Sequence, residues 1–216
     1  MTQRTVEDRL REEYFFLLPE IRRALHELRT DVTYLLLPAT LGLKHHERIQ
    51  IEARVKECDS AIDSLRRREE QTRQFDETNP TRYSLTGLPD LAGLRVLAFP
   101  KSCLEDAHTT LRTRYEDWTP DPVKTGIPTR LLAWKYHGFC PTSPRIRAEI
   151  QVMSMLTGLF WHVEHGTLYK PRDAALKGAA KKVAIGNRVN CVYAAFDALE
   201  GALELELESG AGRGAI

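Results

Sequence analysis

Apolar residues between about Thr5 and Thr30 (Leu10, Tyr14, Leu17, Leu18, Ile21, Leu25 and Leu28) recur at spacings of three and four. That is the period of a helix with one buried face. The string Leu35-Leu-Leu-Pro-Ala-Thr-Leu-Gly42 predicts a break. A second helix is predicted from about His45 to Phe75, with Ile49, Ile51, Val55, Ile62 and Leu65 inward and Arg54, Lys56, Arg66, Arg67 and Arg68 elsewhere. Pro, Asn and Gly make 77–87 a loop.

The pattern then alternates. Leu94 to Phe99 is predicted as a strand, and Ser102 to Tyr115 as a helix with Ser102 at its N-cap and Glu105 in the capping-box position, ending near Trp118. Leu131 to Phe139 and Ala148 to Met153 predict further strands. Leu156 to Tyr169 predicts a helix, and Arg172 to Leu207 a long final one in which Gly178, Gly186 and Gly201 weaken continuity. The tail from Ser209 is expected to be disordered. The fold class expected is α+β, a small sheet flanked by helices, divided as an N-terminal helical region (1–44), a central domain (45–171) and a C-terminal helix with its tail (172–216).

Composition narrows the function classes. The 216 residues are 42% hydrophobic and 28% charged with net charge +1, which suits one globular domain with a helical extension and gives no support to bulk nucleic-acid binding. Cys58, Cys103, Cys140 and Cys191 stand apart with no CxxC pair, against a zinc ribbon or disulfide framework. No apolar signal core or membrane-length stretch is present, so a cytoplasmic protein without membrane contact is expected.

Two carboxylates carry the candidate chemistry. Asp90 opens Asp90-Leu-Ala-Gly-Leu-Arg-Val-Leu-Ala98, and Glu149 stands in Arg147-Ala-Glu-Ile-Gln-Val152. A charge beside a buried strand survives at its end or facing a cleft where a cation offsets desolvation, so the two are a candidate Mg²⁺ pair. The alternative is that Asp90 caps a turn and Glu149 is an exposed partner of Arg147. By the period of two, Gln151 shares the Glu149 face. Arg54 and Lys56 would diverge by about 200° on a helix, so both serve one ligand only from a helix start or a loop. His162 and His165 lie three apart, but the string is not HExxH, and a zinc site is not expected.

In order, Arg54-Val-Lys56-x-x-x-Ser60, Asp90-Leu-Ala-Gly93-Leu-Arg95-Val, Glu149-Ile-Gln151-Val and Phe160-Trp-His-Val-Glu164-His165-x-x-x-Tyr169-Lys170 resemble the synthetase domain of the RelA/SpoT family, over about 51–171. The resemblance implies a nucleotidyltransferase-like mixed sheet with helices around it. It implies transfer of pyrophosphate from ATP to the 3′-hydroxyl of GDP or GTP, with Mg²⁺. It places Arg54, Lys56, Ser60 and Arg95 on ATP, and Asp90 and Glu149 on the metal as catalytic residues, Glu149 also orienting or deprotonating the attacking hydroxyl. Gln151, Glu164, His165 and Lys170 line the acceptor side, and related small synthetases make a homo-oligomer through the terminal helices an expectation.

Three departures stand out. Met153-Ser154 replaces the family's Arg-Thr, and Ser64 stands where a basic residue is common, with Arg66 and Arg67 the nearest substitutes. The family's Gly-Tyr-x-Ser-x-His becomes Leu132-Ala-Trp-Lys-Tyr-His137: spacing aligns His137 with the His and puts Leu132 or Ala133 near the stacking Tyr, while residue likeness favours Tyr136 as that ring. Three classes follow: a stand-alone alarmone synthetase, the same chemistry on an adenine nucleotide or a tRNA 3′ end, or a nucleotide-binding regulator without turnover.

Overall fold

Thr5 starts the first helix, α1 (Val6–Leu41), through a capping box: its hydroxyl accepts the Asp8 amide at 3.2 Å and the Asp8 carboxylate accepts the Thr5 amide at 3.1 Å. The computed structural model describes residues 4–69, 74–125, 129–164 and 179–211. The predicted break at Leu35 does not occur. Val32 and Leu36 continue the buried stripe, and Pro38 falls in the last turn, where one lost backbone hydrogen bond costs least.

The predicted helix from His45 to Phe75 is corrected to a strand, β1 (Arg48–Val55), followed by a shorter helix, α2 (Cys58–Arg66). In Arg48-Ile-Gln-Ile-Glu-Ala-Arg-Val, polar and apolar residues alternate at every position, and the helical reading of Ile49, Ile51 and Val55 passed over this period of two. After two 3₁₀ turns come β2 (Ala92–Phe99), α3 (Lys101–Arg114), β3 (Pro120–Thr125), β4 (Arg130–Cys140), β5 (Ser143–Ser154), α4 (Met155–Glu164) and α5 (Ala179–Ala211). Pro100, not Ser102, precedes α3 as its N-cap. β3 was not predicted, because Pro120-Asp-Pro reads as a break; an edge strand tolerates prolines.

The five strands form one mixed sheet in the order β1-β2-β5-β4-β3, with β2 parallel to β5 and the other pairs antiparallel. Its two faces differ. Leu94, Val96, Ile150, Val152 and Tyr136 share the face packed against α1 and α3 in one apolar core. The other face is charged. One row across it runs Arg54, Gly93, Glu149, His137, and the next Glu52, Arg95, Gln151, Lys135. Both rows open on a cavity. Helix α5 closes one end of the molecule: Phe160 of α4 meets Tyr193 and Phe196 edge-on, and Val189 and Tyr193 are buried while Leu199 and Leu203 stay exposed.

Two consequences of this packing are testable. A Cβ at Gly138 would overlap the indole of buried Trp118, so Gly138→Ala should lower stability by about 1–3 kcal/mol, read as a lower melting temperature. Buried His108 lies 2.7 Å by its Nδ1 from the Tyr136 hydroxyl. Burial, helped by Arg112 and opposed by Glu105, holds its pKa below the ordinary imidazole value. The unfolded chain therefore takes up a proton near pH 6.5 that the folded protein refuses until lower pH, and stability should fall as pH drops below about 6.5. His108→Gln should flatten that slope in thermal melts between about pH 7.5 and 5.5.

Candidate active site

Arg54 and Lys56 reach one cavity because β1 is a strand rather than a helix: residues two apart share a face, and the chain turns at its end. A Cβ on Gly93 would sit 3.3 Å from Cγ and Nε of Arg54, so the glycine leaves room for that side chain to cross β2. The Lys56 backbone is pinned at both ends: its N–H donates to Leu91 O at 3.0 Å, and its carbonyl accepts the Tyr14 hydroxyl at 2.9 Å. Its ammonium pairs with Asp90 in the turn leading into β2. Ser60, from the first turn of α2, lines the same wall.

From the strand ends comes a chain of polar contacts. Glu149 is buried and accepts from the Gln151 amide, and Gln151 Oε1 accepts from Arg95 Nε at 3.2 Å. The Arg95 guanidinium also touches His162 of α4, whose Nε2 lies 3.2 Å from Glu52 Oε2. Burial first, and the neighbouring charge of Arg54 second, lower the Arg95 pKa from its ordinary value. On its other side Glu149 faces Lys135 Nζ at 3.5 Å and His137 Nε2 at 3.6 Å, and Trp161 lies under the Lys135 ammonium at 5.8 Å from the ring centre.

The cavity holds about 890 Å³, within the range of sites that enclose small-molecule ligands. Among its described lining residues seven are Lys or Arg and three are Asp or Glu, so it concentrates positive charge that the whole chain, at net +1, does not display. Among the described residues no group of three or more His, Cys, Asp or Glu side chains is assembled for a metal. Asp90 and Glu149 both open on the cavity as hard oxygen donors, and two carboxylates completed by substrate phosphates are the donor set Mg²⁺ prefers.

Of the residues expected from sequence, Arg54, Lys56, Ser60, Asp90, Arg95, Glu149 and Gln151 all line the cavity, and His137 stands directly behind Glu149. Tyr136 does not. It lies on the opposite face of β4 with 0% exposure, its hydroxyl donating to His108 O at 3.1 Å, and burial pushes its pKa up to about 12. Its assignment as the base-stacking ring is corrected on that ground: the period of two that turns Lys135 toward the cavity and His137 onto Glu149 turns Tyr136 into the core. Of the two positions that spacing offered instead, Leu132 lines the cavity and Ala133 is buried with Leu97 and Met153. Arg67 and Arg68 reach the cavity, whereas Arg66 turns away to Glu7 and Asp63. The Glu164 side chain, His165 and Lys170 lie outside the described residues.

Sequence reasoning passed over Lys124, Lys135 and Trp161, and treated His162 only as a rejected metal ligand; all four line the cavity. Lys135 had a signal, since it stands two residues from His137 and so on its face. Lys124 had none, because β3 was read as a break.

No family model matches the sequence, and no curated protein is significantly similar to it. Solved structures do match over nearly the whole chain. Small alarmone synthetase 1 from Bacillus subtilis bound to its product pppGpp aligns with a TM-score of 0.59 and 16% identity, over 91% of this chain and 96% of its own. The same enzyme bound to AMPCPP aligns at 0.56 and 17%, over 90% and 97%. A GTP pyrophosphokinase family protein from Streptococcus pneumoniae aligns at 0.52 and 17%, over 91% and 95%. At such identities it is the backbone that is shared, and this chain has the RelA/SpoT-like fold of the small alarmone synthetases.

Proposed function

We propose that the protein is a pyrophosphokinase that moves the β,γ-pyrophosphate of ATP to the 3′-hydroxyl of GDP or GTP. The observation that carries this reading is the convergence of Arg54, Lys56 and Arg95 with Asp90 and Glu149 on one cavity, from β1 and the turn after it, β2, β5 and the turn before β2. The structural neighbours that hold pppGpp and AMPCPP support the same choice of ligands.

In the reaction the acceptor O3′ bonds to the β-phosphorus, the bond from that phosphorus to the α,β-bridging oxygen breaks, and AMP leaves with the negative charge. Arg54, Lys56 and Arg95 are the cations that hold the triphosphate and offset this charge. Glu149 takes or orients the proton of the attacking hydroxyl, with Gln151 fixing its carboxylate. Asp90 and Glu149 would hold Mg²⁺, which when bound supplies further charge neutralisation on the phosphates. Lys56, now on Asp90, then becomes free to meet a phosphate oxygen.

A second reading keeps the chemistry and changes the acceptor. It is favoured by one observation: with Tyr136 in the core, Ala133 buried and Leu132 on the cavity wall, no tyrosine of β4 lines the site to stack on guanine. An adenine nucleotide or a tRNA 3′ end is then the acceptor. Assembly into a homo-oligomer through the terminal helices belongs to either reading, and α1 leaves Phe15, Phe16 and Tyr34 exposed for it.

The test is ATP labelled in its β- and γ-phosphates, incubated with Mg²⁺ and GDP, GTP, ATP or tRNA. Label on GDP or GTP supports the first reading, and label on another acceptor the second. No label on any acceptor overturns both.

A further inference from the structure

Two groups of cations flank Glu149 from opposite sides of the cavity. Arg54 comes from β1, Lys56 from the turn after it, and Arg67 and Arg68 from just past the end of α2; Lys124 and Lys135 come from β3 and β4, at the other end of the strand order. A triphosphate held by the first group leaves the second beyond the carboxylates, on the side from which a nucleophile must approach.

Arg95 and Lys135 share one row of the sheet, but they are held differently. The Arg95 guanidinium is engaged by Gln151, His162 and Glu52 together. Lys135 faces Glu149 at 3.5 Å, beyond ordinary hydrogen-bond length, with its ammonium over Trp161 and its side chain 25% exposed. A loosely paired ammonium on a flexible stem can move onto a phosphate without breaking a formed hydrogen bond. Met153, where a strand cation on this face could have stood, is instead fully buried among Leu97 and Ala133.

We propose that Lys135 reads the acceptor's own 5′-phosphates, so that the acceptor half of the cavity selects a nucleoside di- or triphosphate over a nucleoside. Lys124 is the second cation of this half. The proposal rests on the transfer reading for which half of the cavity is the acceptor's and for the choice of ligand in the donor half.

The test is titration calorimetry of GDP, ADP and their nucleosides guanosine and adenosine into the full chain, with the donor half saturated by α,β-methylene-ATP and Mg²⁺. The unaltered protein should hold at least one diphosphate about tenfold or more tightly than its nucleoside, the size of one charge-assisted hydrogen bond. Lys135→Met should remove most of that preference while leaving nucleoside affinity, the affinity for the ATP analogue and the melting temperature unchanged; Lys135→Arg should restore it. Equal affinity for diphosphate and nucleoside in the unaltered protein overturns the proposal. So does a Lys135→Met variant that keeps the preference, or that weakens nucleoside or ATP-analogue binding as much as diphosphate binding. If labelled pyrophosphate is never transferred but the Lys135-dependent preference is present, the transfer reading fails and the phosphate site stands. Transfer without that preference leaves the reaction and removes Lys135 from it.

Discussion

Asp90→Asn and Glu149→Gln should each lower pyrophosphate transfer by on the order of 10²–10³-fold or more, with the protein still folded. Both substitutions keep side-chain shape and remove one negative charge. The asparagine in place of Asp90 would keep a polar partner for the Lys56 ammonium at the cavity edge, and the glutamine in place of Glu149 could still accept from Gln151. What each loses is the charge that attracts a divalent ion or a proton, and that loss is felt in turnover rather than in packing. Transfer of labelled phosphate measures the first, and a melting curve the second. Full turnover in either variant would remove that residue from the catalytic set. A fall in turnover matched by a melting temperature lowered by more than about 5 °C would make the loss structural, since for a domain of this size such a shift is more than about 1 kcal/mol.

Tyr136→Ala should cost about 3–5 kcal/mol of stability, because the ring is wholly buried between the sheet and α3 and its removal leaves a cavity beside His108. Tyr136→Phe keeps the ring and removes only the hydroxyl. It should cost about 1–3 kcal/mol by leaving polar atoms of His108 without their partner. Neither cost reaches the ligand: GDP and ATP-analogue affinities of Tyr136→Phe should stay within about twofold of the unaltered protein. A phenylalanine variant that melted normally but bound nucleotide differently would put the tyrosine back into the site.

Tyr136 also shows what was legible before the fold was known. Its sequence neighbourhood matched the residue types of a nucleotide-binding string, and residue type says nothing about which side of a strand a residue takes. Counting by two from Glu149 and His137 does say it, and by that count Lys135 was the residue to examine. The error over β1 has the same source. Ile49, Ile51 and Val55 fit a helical stripe about as well as a strand face over so short a span, and only the strict alternation of Arg48, Gln50, Glu52 and Arg54 between them marks the strand. That one change of period dissolved the difficulty of bringing Arg54 and Lys56 to one cavity.

The order of the motifs was enough to name the fold, because each motif ties a chemical side chain to a strand or helix boundary. The apolar runs beside Asp90 and Glu149 also pointed to these two carboxylates, since a charge beside a buried apolar strand stands at its end or faces a cleft or a cation, and both line the cavity. The charge of the cavity was beyond the sequence: a net +1 chain holds a strongly cationic pocket only because register brings Arg54, Arg95 and Lys135, distant in sequence, to one face of a sheet whose other face is apolar. Local sequence determined which residues can do the chemistry, through side-chain type and spacing. Strand order and pairing register, set by burial of the opposite face against α1 and α3, decided which of them meet.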